Sequence, residues 1–293
     1  MRRFLLAAVM FGAASGAQAA DLSDLPILRG SFPGGLSTAT RNWDGWYVGG
    51  QVDYTSSNID LTHATQTMTN FLLRNSVIQA PVSQLGLFSA QHAQSTGFGA
   101  FVGRNFQWDD LVFGLEANYV HLNSLATSAK NQLARRFDNP GGQTLPLNHT
   151  DEYIVTLTGT AALQIKDVVT FRGRVGWATG NFLPYVFGGV AVGRLAVSRS
   201  VSVTSNEFDI FNGTDPITGQ PIQTITPLSS LTLSQTEARG NNYTAGYTGG
   251  LGTEVMLFGN LFGRFEWEYV KFLSVKNMTS DMNSARLGIG YKF

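Results

Sequence analysis

The chain has no cysteine among its 293 residues, which excludes disulfide frameworks and thiolate metal sites. Charge is scarce: Asp, Glu, Lys and Arg make up 14 %, against about 25 % in an average soluble domain. The signs cancel, with 20 basic and 20 acidic residues, so the chain carries no electrostatic footprint for nucleic acid. Long hydrophobic runs are also missing. The longest, Phe4 to Ala14, falls short of the ~20 residues a helix needs to cross a bilayer. At 43 % hydrophobic the chain does not have the composition of a disordered protein. Glycine, at 33 residues, and aromatics, at 12 %, are plentiful, which suits either a soluble β protein or a β-barrel in lipid.

The first residues set the compartment. Arg2 and Arg3 precede the apolar stretch Phe4–Ala14, and Ala17-Gln18-Ala19 offers a small-x-small cleavage site. That order is a secretory signal peptide, so residues 1–19 are expected to be removed. There is no lipobox cysteine and hence no lipid anchor. Residues 20–42, with Pro26, Pro33 and Gly34-Gly35, lack periodicity and read as a periplasmic lead-in.

From residue 43 onward the sequence alternates with period two, the strand signal. In the last segment Ala285, Leu287, Ile289, Tyr291 and Phe293 alternate with Arg286, Gly288, Gly290 and Lys292. Phe265, Trp267 and Tyr269 alternate with Arg264, Glu266 and Glu268, and Leu111, Phe113 and Leu115 with Gly114 and Glu116. On the same rule Tyr185, Phe187, Ala191, Leu195 and Val197 form an apolar face opposite Gly188 and Arg194. The segment Tyr153–Trp177 holds one parity throughout, with a single fault at Asp167. It reads as one strand whose first half projects beyond the bilayer, since about 10 residues suffice to cross.

Eight such segments result. Short connections (Gln107–Asp110, Thr179–Phe182, Phe258–Asn260) alternate strictly with longer ones (Ser57–Ala93, Leu122–Thr150, Ser198–Asn241, Ser274–Met282). This is the pattern of short periplasmic turns and long external loops. A soluble sandwich has no reason to sort its loops by length. The expectation for residues 43–293 is therefore an all-β, eight-stranded antiparallel transmembrane barrel with long extracellular loops, in the cell outer membrane. Its outward Trp46, Trp177, Trp267, Tyr54, Tyr119, Tyr185, Tyr269 and Tyr291 read as aromatic girdles.

The expected inward faces carry Asp53, Glu116, Glu254, Glu266 and Glu268 against Arg172, Arg174, Arg194, Arg264, Arg286 and Lys292. An eight-stranded barrel is just wide enough for side chains to fill it, and buried charges need partners. The set is expected to pair into a plug. Inward glycines leave room for a little water, so narrow leakage is compatible with the pattern and a wide pore is not.

Ala20-Asp-Leu-x-Asp-Leu-Pro-x-Leu-Arg-Gly30, Trp43-Asp-Gly-Trp-Tyr-Val-Gly-Gly50, Phe171-Arg-Gly-Arg-Val-Gly-Trp177, Phe182–Val190 and Ala285–Phe293, in that order, resemble the small outer-membrane barrels of alphaproteobacteria. These are called outer-membrane immunogenic or haemin-binding proteins and are grouped with OmpA-like and porin-family barrels. The resemblance implies the same barrel, but its members share no single activity. The closing Tyr291 and Phe293 also resemble the signal read by the outer-membrane assembly machinery.

Candidate sites are few. His63, His92, His121 and His149 all fall in or beside the first two long excursions. Imidazoles ligate haem iron, and the resemblance suggests haemin. No pair has metal-ligand spacing, so neither a metal nor a resident cofactor is expected. His121 with Asn123 and Ser124 stands where some small outer-membrane barrels place hydrolytic residues acting on lipid A. With no carboxylate near it in sequence to orient the base, an enzyme is not expected. The expected partners are outer-membrane lipid and the assembly machinery. The Thr-, Ser-, Asn- and Gln-rich loops offer a surface for host, phage or antibody contact.

Overall fold

A computed structural model describes residues 41–293. The expected signal peptide and nearly all of the lead-in lie outside the described residues. Eight strands run in chain order: β1 (Gly45–Asp60), β2 (Ala90–Trp108), β3 (Leu111–Asp138), β4 (His149–Trp177), β5 (Phe182–Thr214), β6 (Pro221–Phe258), β7 (Leu261–Phe272) and β8 (Thr279–Lys292). Each pairs antiparallel with the next, and β8 returns to β1 to close the barrel. Every strand of the closed part thus has two neighbours, which is how a sheet satisfies its backbone in lipid.

The central strands are longer than a membrane requires, and they change character along their length. In β4, Val155, Leu157, Ala161, Leu163 and Ile165 are buried inside. After Asp167 the buried positions become Val168, Thr170, Arg172 and Arg174, while Phe171, Val175 and Trp177 turn outward. One extra residue does this: the pairing with β5 slips between Ile165 and Asp167. Side chains alternate strictly along a strand, so a single bulge sends every later one to the other face. The pairing of β3 with β4 slips at the same level, between His121 and Leu125, as does that of β5 with β6, between Leu195 and Val197. The parity of Tyr153–Trp177 is therefore unbroken in sequence but inverted in space. At the short-turn end the barrel is apolar outside and polar within. Beyond the bulges it is apolar within and polar outside, as in water.

The second and third long excursions are accordingly not loops. Most of Leu122–Thr150 and Ser198–Asn241 is paired strand, and the chain reverses only at 139–148 and 215–220. Their Thr and Ser residues occupy the watered outer face, as in the rows Thr158–Ser202–Ser234 and Thr160–Ser200–Thr236. The first excursion does leave the sheet. It forms two short helices, α1 (Gln66–Leu72) and α2 (Gln79–Ser83). Leu61, Met68, Leu73, Ile78, Val82 and Leu87 from this excursion pack with Leu125, Leu157, Leu163, Val201 and Phe272 of the strands in one buried core. Without this insert the apolar inner face of the projecting sheet would stand open to water, at roughly 1.5–3 kcal/mol per large side chain.

β5 departs from expectation. Tyr185, Phe187, Ala191, Leu195 and Val197 face inward, and Val186, Val190 and Val192 face outward. Both faces of this segment are apolar, so hydrophobicity alone does not choose between them. Tyr185 is thus no girdle residue. Trp46, Trp177, Trp267, Tyr54, Tyr119 and Tyr291 do project outward, and Tyr269 is half-buried.

Deleting Lys166 should remove the bulge and put the two halves of β4 in conflicting register. Refolding into detergent, followed by electrophoresis with and without heating, is expected to show no heat-sensitive folded band. Thr160→Ala, on the outer hydroxyl face, should fold like the parent.

Candidate functional site

The interior of the membrane-height barrel is filled in layers. At the short-turn end Tyr47, Phe101 and Phe262 form an aromatic floor, with ring centroids 6.0–6.3 Å apart, and Trp43 and Met256 join them. The inward glycines make this floor possible. A Cβ on Gly290 would lie 2.3 Å from the Phe262 ring, and one on Gly103 would lie 2.2 Å from the Tyr47 hydroxyl. At these two positions the room that glycine leaves is taken by aromatic rings.

Above the floor lies the charged layer. Glu116 on β3 accepts from Tyr47 Oη at 2.8 Å, from Arg172 Nη2 at 2.5 Å and from Arg264 Nη2 at 2.8 Å. Arg174 grips Glu254 with both terminal nitrogens, at 2.7 and 2.8 Å. Arg264 donates to the same Glu254 at 2.6 Å. Arg172 reaches on to Glu266 at 2.8 Å, and Arg286 pairs with Asp53 at 2.6 Å and with Glu268. The guanidiniums also lie over aromatic faces, Arg264 at 3.7 Å from the Phe101 centroid and Arg172 at 4.1 Å from Phe187. Such contacts strengthen where water is excluded. All these charged side chains are 2 % exposed or less.

This layer brings together Asp53, Glu116, Arg172, Arg174, Glu254, Arg264, Glu266, Glu268 and Arg286. Two of the expected lumen charges do not join it. Arg194 stands on the outer face of β5, 38 % exposed, and bonds Asp167 at 2.5 Å. It lies on the outward side because the inward side of β5 is the Tyr185–Leu195 face. Lys292 faces in, but at the short-turn rim, where its Nζ donates to the Asp44 carbonyl at 2.8 Å. With these two gone the acids outnumber the guanidiniums, and neutral donors meet the difference. Tyr185 Oη donates to Glu266 at 2.5 Å, Thr248 Oγ1 to Glu268 at 2.8 Å and Gln51 Nε2 to Asp53 at 3.0 Å. Sequence reading missed Tyr185 because it placed that residue in lipid.

The third layer is the helical insert and its core. Arg199 fastens it, buried on β5 beyond the bulges. It donates to the Ala64 carbonyl at 2.6 Å, to the Lys276 carbonyl at 3.3 Å and to Glu237 at 2.6 Å. One guanidinium thus ties the helical insert and the β7–β8 turn to the β5–β6 hairpin. Hydrogen bonds from Arg199, then Lys276, hold the Glu237 carboxyl down at about 2. A carboxyl depressed this way contributes its full stability above its unfolded value near 4.3 and loses it as the pH falls toward 2.

The four histidines sit on or beside four different strands. His63 follows β1, and His92 on β2 pairs with Asn58. His121 bonds Asp167 at 2.8 Å, and His149 bonds Asp209 at 2.8 Å beside the Phe211 ring. Asp167 and His149 are eighteen residues apart on β4, roughly 60 Å of strand, so His121 and His149 do not meet. Among the described residues no group of three His, Asp or Glu is placed to hold a metal. The carboxylate that His121 lacked in sequence is Asp167, brought to it across the β3–β4 pairing.

A barrel closed by antiparallel neighbours with an outward apolar band agrees with the family that comparison finds. The chain matches the outer membrane protein beta-barrel domain over residues 4–293. It belongs to that family. It is 24 % identical over 195 residues to the 25 kDa outer-membrane immunogenic protein of Brucella ovis, covering 67 % of this chain and 62 % of that one. The Brucella suis protein of the same name is 24 % identical over 204 residues, covering 67 % and 64 %. The chain therefore spans less than two thirds of the length of these relatives. Among solved structures it is similar to Neisserial surface protein A (TM-score 0.32, 12 % identity, 85 % of this chain and 97 % of that one). It is also similar to Ail, the attachment invasion locus protein of Yersinia pestis (TM-score 0.33, 12 % identity, 85 % and 99 %).

Two outcomes test the layers. Glu116→Ala leaves buried guanidiniums uncompensated, a change that costs about 3–5 kcal/mol, and should lower the urea midpoint of the vesicle-folded barrel accordingly. Hydrogen exchange of residues 61–89, corrected for its intrinsic pH dependence, should rise between pH 6 and pH 3. Glu237→Gln should show that rise already at pH 6.

Proposed function

We propose that this outer-membrane barrel is a non-conducting scaffold that displays a folded surface outside the cell. One observation supports this above others: the lumen is filled along its height by aromatic floor, ion-pair layer and helical insert. A solute path would have to part the Glu116–Arg172–Arg264 contacts and displace the insert together. Haemin is the alternative reading: His121 and His149 lie too far apart to share one iron, so it rests on a single imidazole or on His63 with His92.

What the scaffold holds up is sheet rather than loop. Lys130, Gln132 and Arg136 on β3, Thr156 and Thr158 on β4, Ser202 and Thr204 on β5 and Ser230, Thr232, Ser234 and Thr236 on β6 present side chains outside the barrel. A rigid polar sheet is a surface for macromolecular contact, because its groups are already fixed before a partner arrives. Assembly reads on the other end. Phe293 donates its backbone N–H to the Trp46 carbonyl at 2.8 Å, and its exposed ring lies 5.3 Å from that of Tyr291. These two residues are our candidates for recognition by the assembly machinery.

In planar bilayers the purified barrel should give no steps in the nanosiemens range, and such steps at neutral pH would refute the scaffold reading. Removing Phe293 should cut the amount of folded protein in the outer membrane several-fold in cells, while refolding into detergent proceeds as before.

A further inference from the structure

The charge of the buried layer does not sum to zero. Its carboxylates are Asp53, Glu116, Glu254, Glu266 and Glu268, and its guanidiniums are Arg172, Arg174, Arg264 and Arg286. Lys292 does not make up the difference, because it sits at the short-turn rim with its Nζ on the Asp44 carbonyl. Tyrosine, threonine and glutamine donors satisfy hydrogen bonds of the surplus acid, but they bring no charge. An excess negative charge shut away from water is strongly unfavourable unless a positive charge meets it.

The surplus has a place. Arg172, Arg174 and Arg264 share Glu116, Glu254 and Glu266, three against three. Arg286 faces two acids, Asp53 at 2.6 Å and Glu268, and Arg172 reaches Glu268 only at 3.4 Å. Beside this group two oxygens have no hydrogen-bond partner among the described residues, Asn118 Oδ1 and Thr170 Oγ1, each on a residue 1 % exposed. Asn118 is joined to Asp53 through Gln51: its Nδ2 donates to Gln51 Oε1 at 2.9 Å, and Gln51 Nε2 donates to Asp53 at 3.0 Å. Thr170 lies opposite Asn118 across the β3–β4 ladder, one inward position beyond Arg172, whose Nη1 makes the contact with Glu268. Val120, Val168 and Val270 belong to the apolar core that closes over this level. A file of buried hydroxyls leads from it toward the outside along the β1–β8 seam, Thr55 with Ser284 at 2.9 Å and Ser57 with Ser280 at 3.0 Å.

We propose that the lumen binds one monovalent metal cation, sodium or potassium, between the Asp53–Arg286–Glu268 group and the Asn118–Thr170 pair. The carboxylates supply the charge, and Asn118 Oδ1 and Thr170 Oγ1 supply neutral oxygens, the donor type that hard cations take. One charge is in surplus, so a divalent ion would overshoot. A proton on Asp53 or Glu268 would balance the charge too, but its O–H meets one acceptor, and two stand open on adjacent strands. The seam hydroxyls offer the ion oxygens in place of its water on the way in. The inference rests on the closed lumen proposed above.

The test is urea unfolding of the barrel in phosphatidylcholine vesicles, read by heat-sensitive mobility, with N-methylglucamine replaced stepwise by sodium or potassium at fixed ionic strength. A ligand that binds only the folded state raises stability with the logarithm of its free concentration. The parent's urea midpoint should therefore climb once sodium or potassium exceeds its dissociation constant, by an equal step for each further tenfold. Asp53→Asn, which leaves acids and guanidiniums equal in number, should fold and give one midpoint in all three salts. Thr170→Val, which breaks no side-chain hydrogen bond, should need several-fold more cation for the same rise and stands in if Asp53→Asn does not fold. A parent midpoint that is the same in N-methylglucamine as in sodium and potassium would overturn the proposal. So would an unchanged cation dependence in both variants. A midpoint indifferent to the cation but falling as the pH rises from 6 to 9 would overturn it in favour of a retained proton. Conductance steps in planar bilayers would count against the closed lumen instead, and they are read independently of these midpoints.

Discussion

Four of the eight strands pass through two solvents, and the structure depends on how they do it. A strand in lipid must turn its apolar side out; the same strand in water must turn it in. Alternation along a strand is rigid, so a strand with one apolar face needs a break to satisfy both; β5, apolar on both faces, keeps its odd positions from Tyr185 to Val203 inward without one. The extra residue at Lys166, matched by slips on the neighbouring strands, exchanges the faces once and at one height. The charged layer below and the apolar core above both follow from that exchange.

Below the bulges, an interior of carboxylates and guanidiniums stays folded only because every charge finds partners. Desolvating such groups costs several kcal/mol each, so the pairs specify one arrangement more than they add net stability. Tyr47 and Tyr185 are part of that arrangement. Their rings pack as apolar surface, and their hydroxyls complete Glu116 and Glu266. Above the bulges, the projecting sheet would be an open half-shell. The insert between β1 and β2 fills it, and Arg199 fastens the insert by bonding main-chain carbonyls and Glu237 together.

The sequence was legible where one face was apolar and the other was not. The last strand, the β7 alternation and the charges on β3, β4, β6, β7 and β8 could be assigned to faces from periodicity alone. β5 was not legible, because Val186, Val190 and Val192 offer lipid as good a face as Tyr185 and Phe187. The bulge was not legible either. Above it the odd residues of β4 are apolar to make a core, and below it they are apolar to face lipid, so the pattern passes through Lys166-Asp167 without a visible change. Thr and Ser on alternate positions read as loop for a related reason: a strand whose polar face meets water resembles a polar loop when the location of its apolar face is unknown. Asp167 as the partner of His121 was out of reach, since the two lie 46 residues apart and meet only through strand pairing.

The face exchange can be measured directly, because the chain has no cysteine of its own. Single cysteines at Leu157, Thr158 and Phe171 of the vesicle-folded barrel would be challenged with a water-soluble maleimide and a lipid-soluble one. The inverted register requires Thr158→Cys to react with the aqueous reagent and Phe171→Cys with the lipid-soluble one, while Leu157→Cys stays protected from both. If Leu157→Cys and Phe171→Cys instead react alike with the lipid-soluble reagent, the two odd positions share one face and the account is wrong.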